Sequence, residues 1–151
     1  MKVLLAIDGT PQSDSALSMV SSLNVGQISE LRVFTVIDMA LPMAHDIYTG
    51  MIVNTVEIEK AAKEGAKKSL DDAVAKLREA IGDDVAITSD MAVGSPESRI
   101  VEEAEEMKAD LIVVGSHGYN RWERLLLGSV SDSVIHHAPC SVMVVRDATS
   151  E

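Results

Sequence analysis

The chain has one cysteine, Cys140, so no intrachain disulfide is available, and its apolar strand-like setting suits a small buried hydrophobe. No apolar run approaches the roughly 20 residues that a membrane helix needs. The longest, at 2–7 and 111–114, are strand-sized, so no membrane partner is expected. Nor is there a run of Lys or Arg. With 24 acidic against 13 basic side chains the net charge is -11, which repels a polyanion and argues against nucleic acid. The first residues pass from an apolar stretch straight to Asp8, without a basic start, a cleavage site or an arginine-rich leader. A cytoplasmic protein is expected.

Two catalytic signatures are also missing. There is no Gly-x-Ser-x-Gly elbow and no Gly-x-x-x-x-Gly-Lys-Ser/Thr loop, whose lysine would stabilise a transferring phosphoryl group. His136 and His137 are sequence neighbours on an expected helix and diverge, while His45 stands in an irregular stretch, so no metal site is expected. His117-Gly118 resembles part of a nucleotidyl transferase signature, but it is not beside the first strand and lacks the second histidine.

The 151 residues, 46% of them hydrophobic, are enough for one domain, 1–151, that buries a core without disulfide or metal. Residues 2–8, 31–37 and 111–114 are near-continuous apolar runs, as in parallel strands buried on both faces. Residues 85–92 alternate more and read as a strand nearer an edge, and 141–146 read as a fifth strand.

Helical spacing fills the gaps. Ala16, Leu17, Val20 and Leu23 form the first helical stripe, with Asp14 favouring its start. Ile58, Ala62, Ala66, Leu70, Val74, Leu77 and Ile81 mark a long amphipathic helix over about 57–81. Ser95-Pro96-Glu97 has the chemistry of a helix start, followed by core-facing Ile100, Val101, Ala104 and Met107. The last helix is expected over 129–137, with Val130, Val134 and Ile135 inward and Pro139 preventing continuation. Glu102, Glu103, Glu105 and Glu106 read as the solvated face of the third helix.

Strict alternation of strand and helix predicts an α/β fold: an open five-stranded parallel sheet, order 3-2-1-4-5, with helices on both faces, Rossmann-like. Residues 38–53 have no periodicity, contain Pro42, Gly50 and three methionines, and form either a loop or a functional lid.

The informative motif follows the fourth strand: Gly115-x-x-Gly118-x9-Gly128-Ser129. Gly115 and Gly118 permit tight turns and close backbone approach, and Gly128-Ser129 precede a helix whose free amides favour an anion. This reads as a phosphate cradle without a lysine. The plain alternative is that these glycines only serve turns at strand and helix ends. In an open sheet, ligands bind beyond the carboxyl ends of strands where the order reverses, here between strands one and four. Strand one ends in Asp8-Gly9-Thr10, and an acid there can accept hydrogen bonds from a ribose or an adenine amine.

These residues resemble the ATP-binding branch of the universal stress protein family over essentially the whole chain. The likeness is carried by the glycine pattern, by Asp8-Gly9-Thr10, Val36-Ile37-Asp38, Gly94-Ser95-Pro96 and 109–115, and by the terminal 139–145. It implies ATP as ligand, with Mg²⁺ as the candidate to bridge its phosphates. Asp8 would then contact the nucleoside, Ala6 and Val36 would line the adenine pocket, and Gly115, Gly118, Gly128, Ser129 and Val130 would hold ribose and phosphates. It also implies a homodimer paired through the fifth strand, around 142–145. Thr10 stands where the family more often has serine. Tyr119, Asn120 and Trp122 take no role from the resemblance, and Arg121 or Arg124 is either a phosphate contact or a solvated loop charge. The expected function is nucleotide-dependent regulation in the stress response, with any hydrolysis slow. The alternatives are a dimeric interaction protein of the same fold that binds no nucleotide, and an enzyme, an ATPase or an adenylate-forming catalyst, that uses the same crevice.

Overall fold

A computed structural model describes residues 1–39, 55–116 and 127–146. The strands are β1 (Lys2–Ile7), β2 (Glu30–Ile37), β3 (Ala86–Val93), β4 (Leu111–Gly115) and β5 (Ser141–Val145). The helices are α1 (Pro11–Ser22), α2 (Thr55–Ile81), α3 (Pro96–Met107) and α4 (Ser129–His137), with a short 3-10 turn at Val25–Gln27. All pairings are parallel and the strand order is β3-β2-β1-β4-β5. The Rossmann-like α/β architecture read from the sequence is the one the chain adopts.

The strands are apolar on both faces because both faces are covered. Val3, Leu5 and Ile7 of β1 pack with Leu31 and Val33 against Ala16, Leu17 and Val20 of α1 and Leu70, Ala73 and Leu77 of α2. On the other face Leu4, Phe34, Ile112 and Val114 meet Ile100, Ala104 and Met107 of α3 and Val134 of α4. Burying each large side chain of this set stabilises the fold by roughly 1.5–3 kcal/mol. β3 pairs only with β2 and is an edge, which explains its mixed pattern.

Helix α1 begins at Pro11 with Asp14 in its first turn, in keeping with the helix start that Asp14 favours; proline is suited to the first helical position because its φ is preset there. Two local expectations need correction. Ile135 is 42% exposed while Val134 is fully buried, since adjacent helical residues lie about 100° apart and cannot share one face. Glu103 is 9% exposed, not solvated. It bonds Arg32 of β2, which also reaches Glu30.

Helix α2 has 27 residues and so spans about 40 Å, longer than the strands beneath it. Its buried residues are Leu70, Ala73 and Leu77, all in the carboxyl half; Ile58, Ala62 and Ala66 of the predicted stripe are only half-buried. Among the described residues no helix is long and apolar enough to cross a membrane.

Candidate functional site

The central strands part at their carboxyl ends. Pairing between β1 and β4 stops at Leu5 with Val113. On either side it continues, to Ile7 with Thr35 between β1 and β2, and to Gly115 with Val145 between β4 and β5. The cause is topological: β1 leads into α1 on one face of the sheet, and β4 leads on to α4 on the other. A crevice therefore opens where the strand order reverses, the usual ligand position in such sheets.

Asp8 follows β1 at this opening. Its Oδ1 accepts three hydrogen bonds, from the Thr10 amide (3.0 Å), the Thr10 hydroxyl (2.6 Å) and the Ser13 hydroxyl (2.6 Å). The Asp8 amide donates in turn to Ser13 Oγ at 3.1 Å. Among the described residues no donor meets Oδ2. The turn needs Gly9, whose φ is +74°, a left-handed conformation that disfavours other residues. Thr10 is the N-cap of α1, yet its hydroxyl makes no capping bond, because it is directed at Asp8 instead. Diverting a cap in this way forgoes about 1 kcal/mol of helix stability.

On the opposite lip, the Ser116 amide donates to Val145 O at 2.8 Å and the Gly128 amide to Ser116 O at 2.9 Å. Gly128 is the N-cap of α4 and, as glycine, supplies no side-chain cap of its own. The Gly128 carbonyl accepts from the Ser131 hydroxyl and the Asp132 amide. First-turn amides such as those of Ser129 and Val130 have no partner inside the helix and carry its positive dipole end. Exposed Asp132 in that first turn opposes an anion there.

Neither Gly115 nor Gly128 has a positive φ; among described glycines only Gly9, Gly82 and Gly94 do. Their backbones are open to any residue, so turn geometry does not account for glycine at these two positions.

Ala6, Val36 and Val130 are half-buried and share one side of the sheet, packed with Ala92, Val142 and Val144 on the core that α3 and α4 cover. Asp8 lies just beyond the end of β1, its carboxylate bonded to Thr10 and Ser13 at the start of α1. The fold thus sets Ala6, Val36 and Val130 on one side of the sheet, while Asp8 follows β1 and the start of α4 follows β4 in the chain. Gly118, like residues 40–54 of the irregular stretch and the histidine of His117-Gly118, lies outside the described residues. Sequence reasoning missed Thr10 and Ser13 as the partners that hold Asp8. Hydroxyls two and five positions after a strand-end acid were the available signal for both.

Two hollows lie elsewhere. A groove of about 490 Å³ runs along the amino half of α2, lined by Val56, Glu59, Lys60, Lys63, Glu64, Lys67 and Met91. A smaller one of about 220 Å³ sits between α1 and α2, behind the Gly9 turn. Neither contains the crevice residues Ala6, Val36, Gly115 or Ser129. Among the described residues no three His, Cys, Asp or Glu side chains gather to hold a metal ion.

The model of the Universal stress protein family matches residues 1–146. The chain belongs to the universal stress protein family. A putative universal stress protein of Staphylococcus aureus (strain USA300) is 31% identical over 145 residues, which are 95% of this chain and 82% of that protein. Among solved structures, the hypothetical protein MJ0577 superposes with a TM-score of 0.82 at 27% identity, covering 99% of this chain and 97% of its own. Others of the same fold hold adenine nucleotides. One universal stress protein was solved in complex with cAMP (24% identity, TM-score 0.65, 97% and 96% coverage). An Archaeoglobus fulgidus protein was solved with dAMP (20%, 0.67, 96% and 97%), and an Arabidopsis thaliana protein with AMP (20%, 0.67, 99% and 93%). This universal stress protein therefore shares its fold with nucleotide-bound relatives.

Proposed function

We propose that this universal stress protein binds an adenine nucleotide, ATP, in the crevice between β1 and β4, and acts as a nucleotide-dependent regulatory module. The observation that carries the reading is the parting of the two central strands, with Asp8 after one and the amino end of α4 after the other. The donor set suits the ligand: an acceptor for a nucleoside hydroxyl or amine, an apolar floor of Ala6, Val36 and Val130 for the base, and amides around Gly128-Ser129 for phosphate oxygens. Gly115 and Gly128 leave room for close approach, and Gly118 completes the motif in sequence. Relatives that hold AMP, dAMP or cAMP support the adenine class.

Mg²⁺ fits this reading as an ion carried by the phosphates and water, the usual arrangement when no carboxylate cage is present. Its chemistry there is charge neutralisation of the triphosphate. No lysine stands in the glycine motif, so any hydrolysis is slow.

The module is read as one domain working in the cytoplasm as a homodimer. β5 is an edge strand whose Val142 and Val144 remain half-exposed in the single chain, and pairing with a second copy would cover it. The test is mass spectrometry of small molecules released when the purified protein is denatured. An adenine nucleotide in substantial occupancy is expected; a preparation that releases none and takes up none on incubation with Mg·ATP leaves the interaction-protein alternative.

A further inference from the structure

The turn after β1 concentrates every available donor on one carboxylate oxygen. Ser13 is 7% exposed and bonds Asp8 twice, accepting from its amide and donating to Oδ1. A hydroxyl has a single proton, so Ser13 and Thr10 each give their only one to Oδ1. The two oxygens of a carboxylate are equivalent, but its plane is not free: rotating Asp8 away from this plane breaks three hydrogen bonds together. The N-cap of α1 is left without its side-chain bond as a result. A local rule is broken here at the lip of the crevice, the kind of place where function explains such a departure.

We propose that Ser13 is a positioning residue of the nucleotide site, holding Asp8 so that Oδ2 alone is offered to a hydrogen-bond donor of the nucleoside. The proposal rests on the nucleotide reading above. An ionised carboxylate only accepts, so the site selects for a donor, a ribose hydroxyl or the amine of adenine. A nucleotide presenting a carbonyl in place of that amine loses the contact.

Calorimetry on the full chain tests this with four probes: Mg·ATP, Mg·ITP, which lacks the amine, Mg·2′,3′-dideoxy-ATP, which lacks the ribose hydroxyls, and inorganic tripolyphosphate, which has no nucleoside. Ser13→Ala is expected to weaken Mg·ATP by about 5–10-fold, part of the worth of a hydrogen bond to a charged group, and to leave tripolyphosphate unchanged. Ser13→Thr, which keeps the hydroxyl, restores most of the loss. In an Asp8→Ala background Ser13→Ala adds nothing, as expected of two residues that act through one contact. If the amine is the donor, the Ser13→Ala effect vanishes with ITP; if the ribose is, it vanishes with the dideoxy nucleotide.

The proposal is overturned if Ser13→Ala binds Mg·ATP like wild type while Asp8→Ala does not, if tripolyphosphate weakens equally, or if the effect persists without Asp8. Should Ser13→Ala fail to fold, Thr10→Val at a half-buried position takes its place, with a loss of about 2–5-fold in ATP affinity expected from one missing donor. Unchanged affinity in that variant overturns the proposal. Wild-type protein that binds neither ATP nor tripolyphosphate overturns the nucleotide reading itself, and this proposal with it.

Discussion

The Gly128 amide donates to the Ser116 carbonyl at 2.9 Å, tying the start of α4 to the residue that follows β4. Both ends of the glycine motif are thereby fixed at the carboxyl edge of the sheet, whatever the intervening residues do. Gly128 itself has φ -59° and ψ 150°, values that alanine adopts freely.

Gly128→Ala is therefore expected to cost only the modest N-cap difference between glycine and alanine, about 0.5–1 kcal/mol, with no backbone strain added. Its affinity for Mg·ATP should nevertheless fall by about 10-fold or more, roughly 1.4 kcal/mol, because the added methyl occupies the approach of the phosphates. Urea unfolding and calorimetry on the same preparation check the pair of outcomes. A variant neutral in both would show that glycine here serves no close contact.

Gly9→Ala makes the opposite pattern. Its φ of +74° is unfavourable to alanine, and the new Cβ would stand 3.0 Å from Ser69 Oγ on α2. A loss of about 1–2 kcal/mol of stability is expected from the left-handed backbone alone. Ser69→Gly should recover only the steric part, so Gly9→Ala/Ser69→Gly remains less stable than Ser69→Gly in urea melts.

The pair Arg32 with Glu103 is the most enclosed ion pair among the described residues, with side chains 26% and 11% exposed. The Arg32 guanidinium is held above its ordinary value, chiefly by its hydrogen bond to Glu103. A folded pKa that is raised contributes stability below the unfolded value, here the whole range in which proteins are handled. Glu103→Met is predicted to cost about 1–2 kcal/mol, less than the 3–5 of a fully buried pair because Arg32 keeps Glu30 and some water. Arg32→Met/Glu103→Met should cost less than Glu103→Met alone, since no unpaired charge remains. Chemical denaturation of the two variants decides this.

On the acid side, Glu97 in the first turn of α3 is held below the usual carboxylate range, first by the Ser95 hydroxyl, which donates to it at 2.5 Å, and then by its own backbone amide. A depressed carboxylate stabilises the fold above its unfolded pKa, and that contribution disappears as pH falls through the folded value. Ser95→Ala should move the Glu97 titration upward, toward an ordinary glutamate, in a carboxyl NMR titration. It should also shrink the part of the stability loss seen on acidification. A titration that stays put would assign the depression to the backbone amide and helix dipole instead.

Much of this architecture is legible in the residues because burial on both faces leaves an unmistakable mark. The runs at 2–8, 31–37 and 111–114 suit only central strands, and β1, β2 and β4 are in fact flanked on both sides. Ser95-Pro96 marks the start of α3, and Gly128 with Pro139 brackets α4 correctly at 129–137. Asp14 marks the first turn of α1, and Pro11 marks its first position. Glu103 reads as a surface charge because its partner is 71 residues away in sequence, and periodicity carries no information on such pairings. Ala6, Val36 and Asp8 are expected at the crevice from strand ends and family likeness, and the structure sets Ala6 and Val36 on one side of the sheet. The hold of Ser13 and Thr10 on Asp8 depends on a left-handed Gly9 and on where α1 begins, and the hydroxyl spacing is its one trace in the residue types.

The central claim is that the opening between β1 and β4 takes an adenine nucleotide. Titration calorimetry of Mg·ATP into ligand-stripped protein, run at two temperatures so that a vanishing enthalpy cannot hide binding, tests it most directly. Saturable heat corresponding to one nucleotide per chain, weakened in Asp8→Ala, is the predicted result. Absence of saturable heat at both temperatures up to millimolar nucleotide would contradict it.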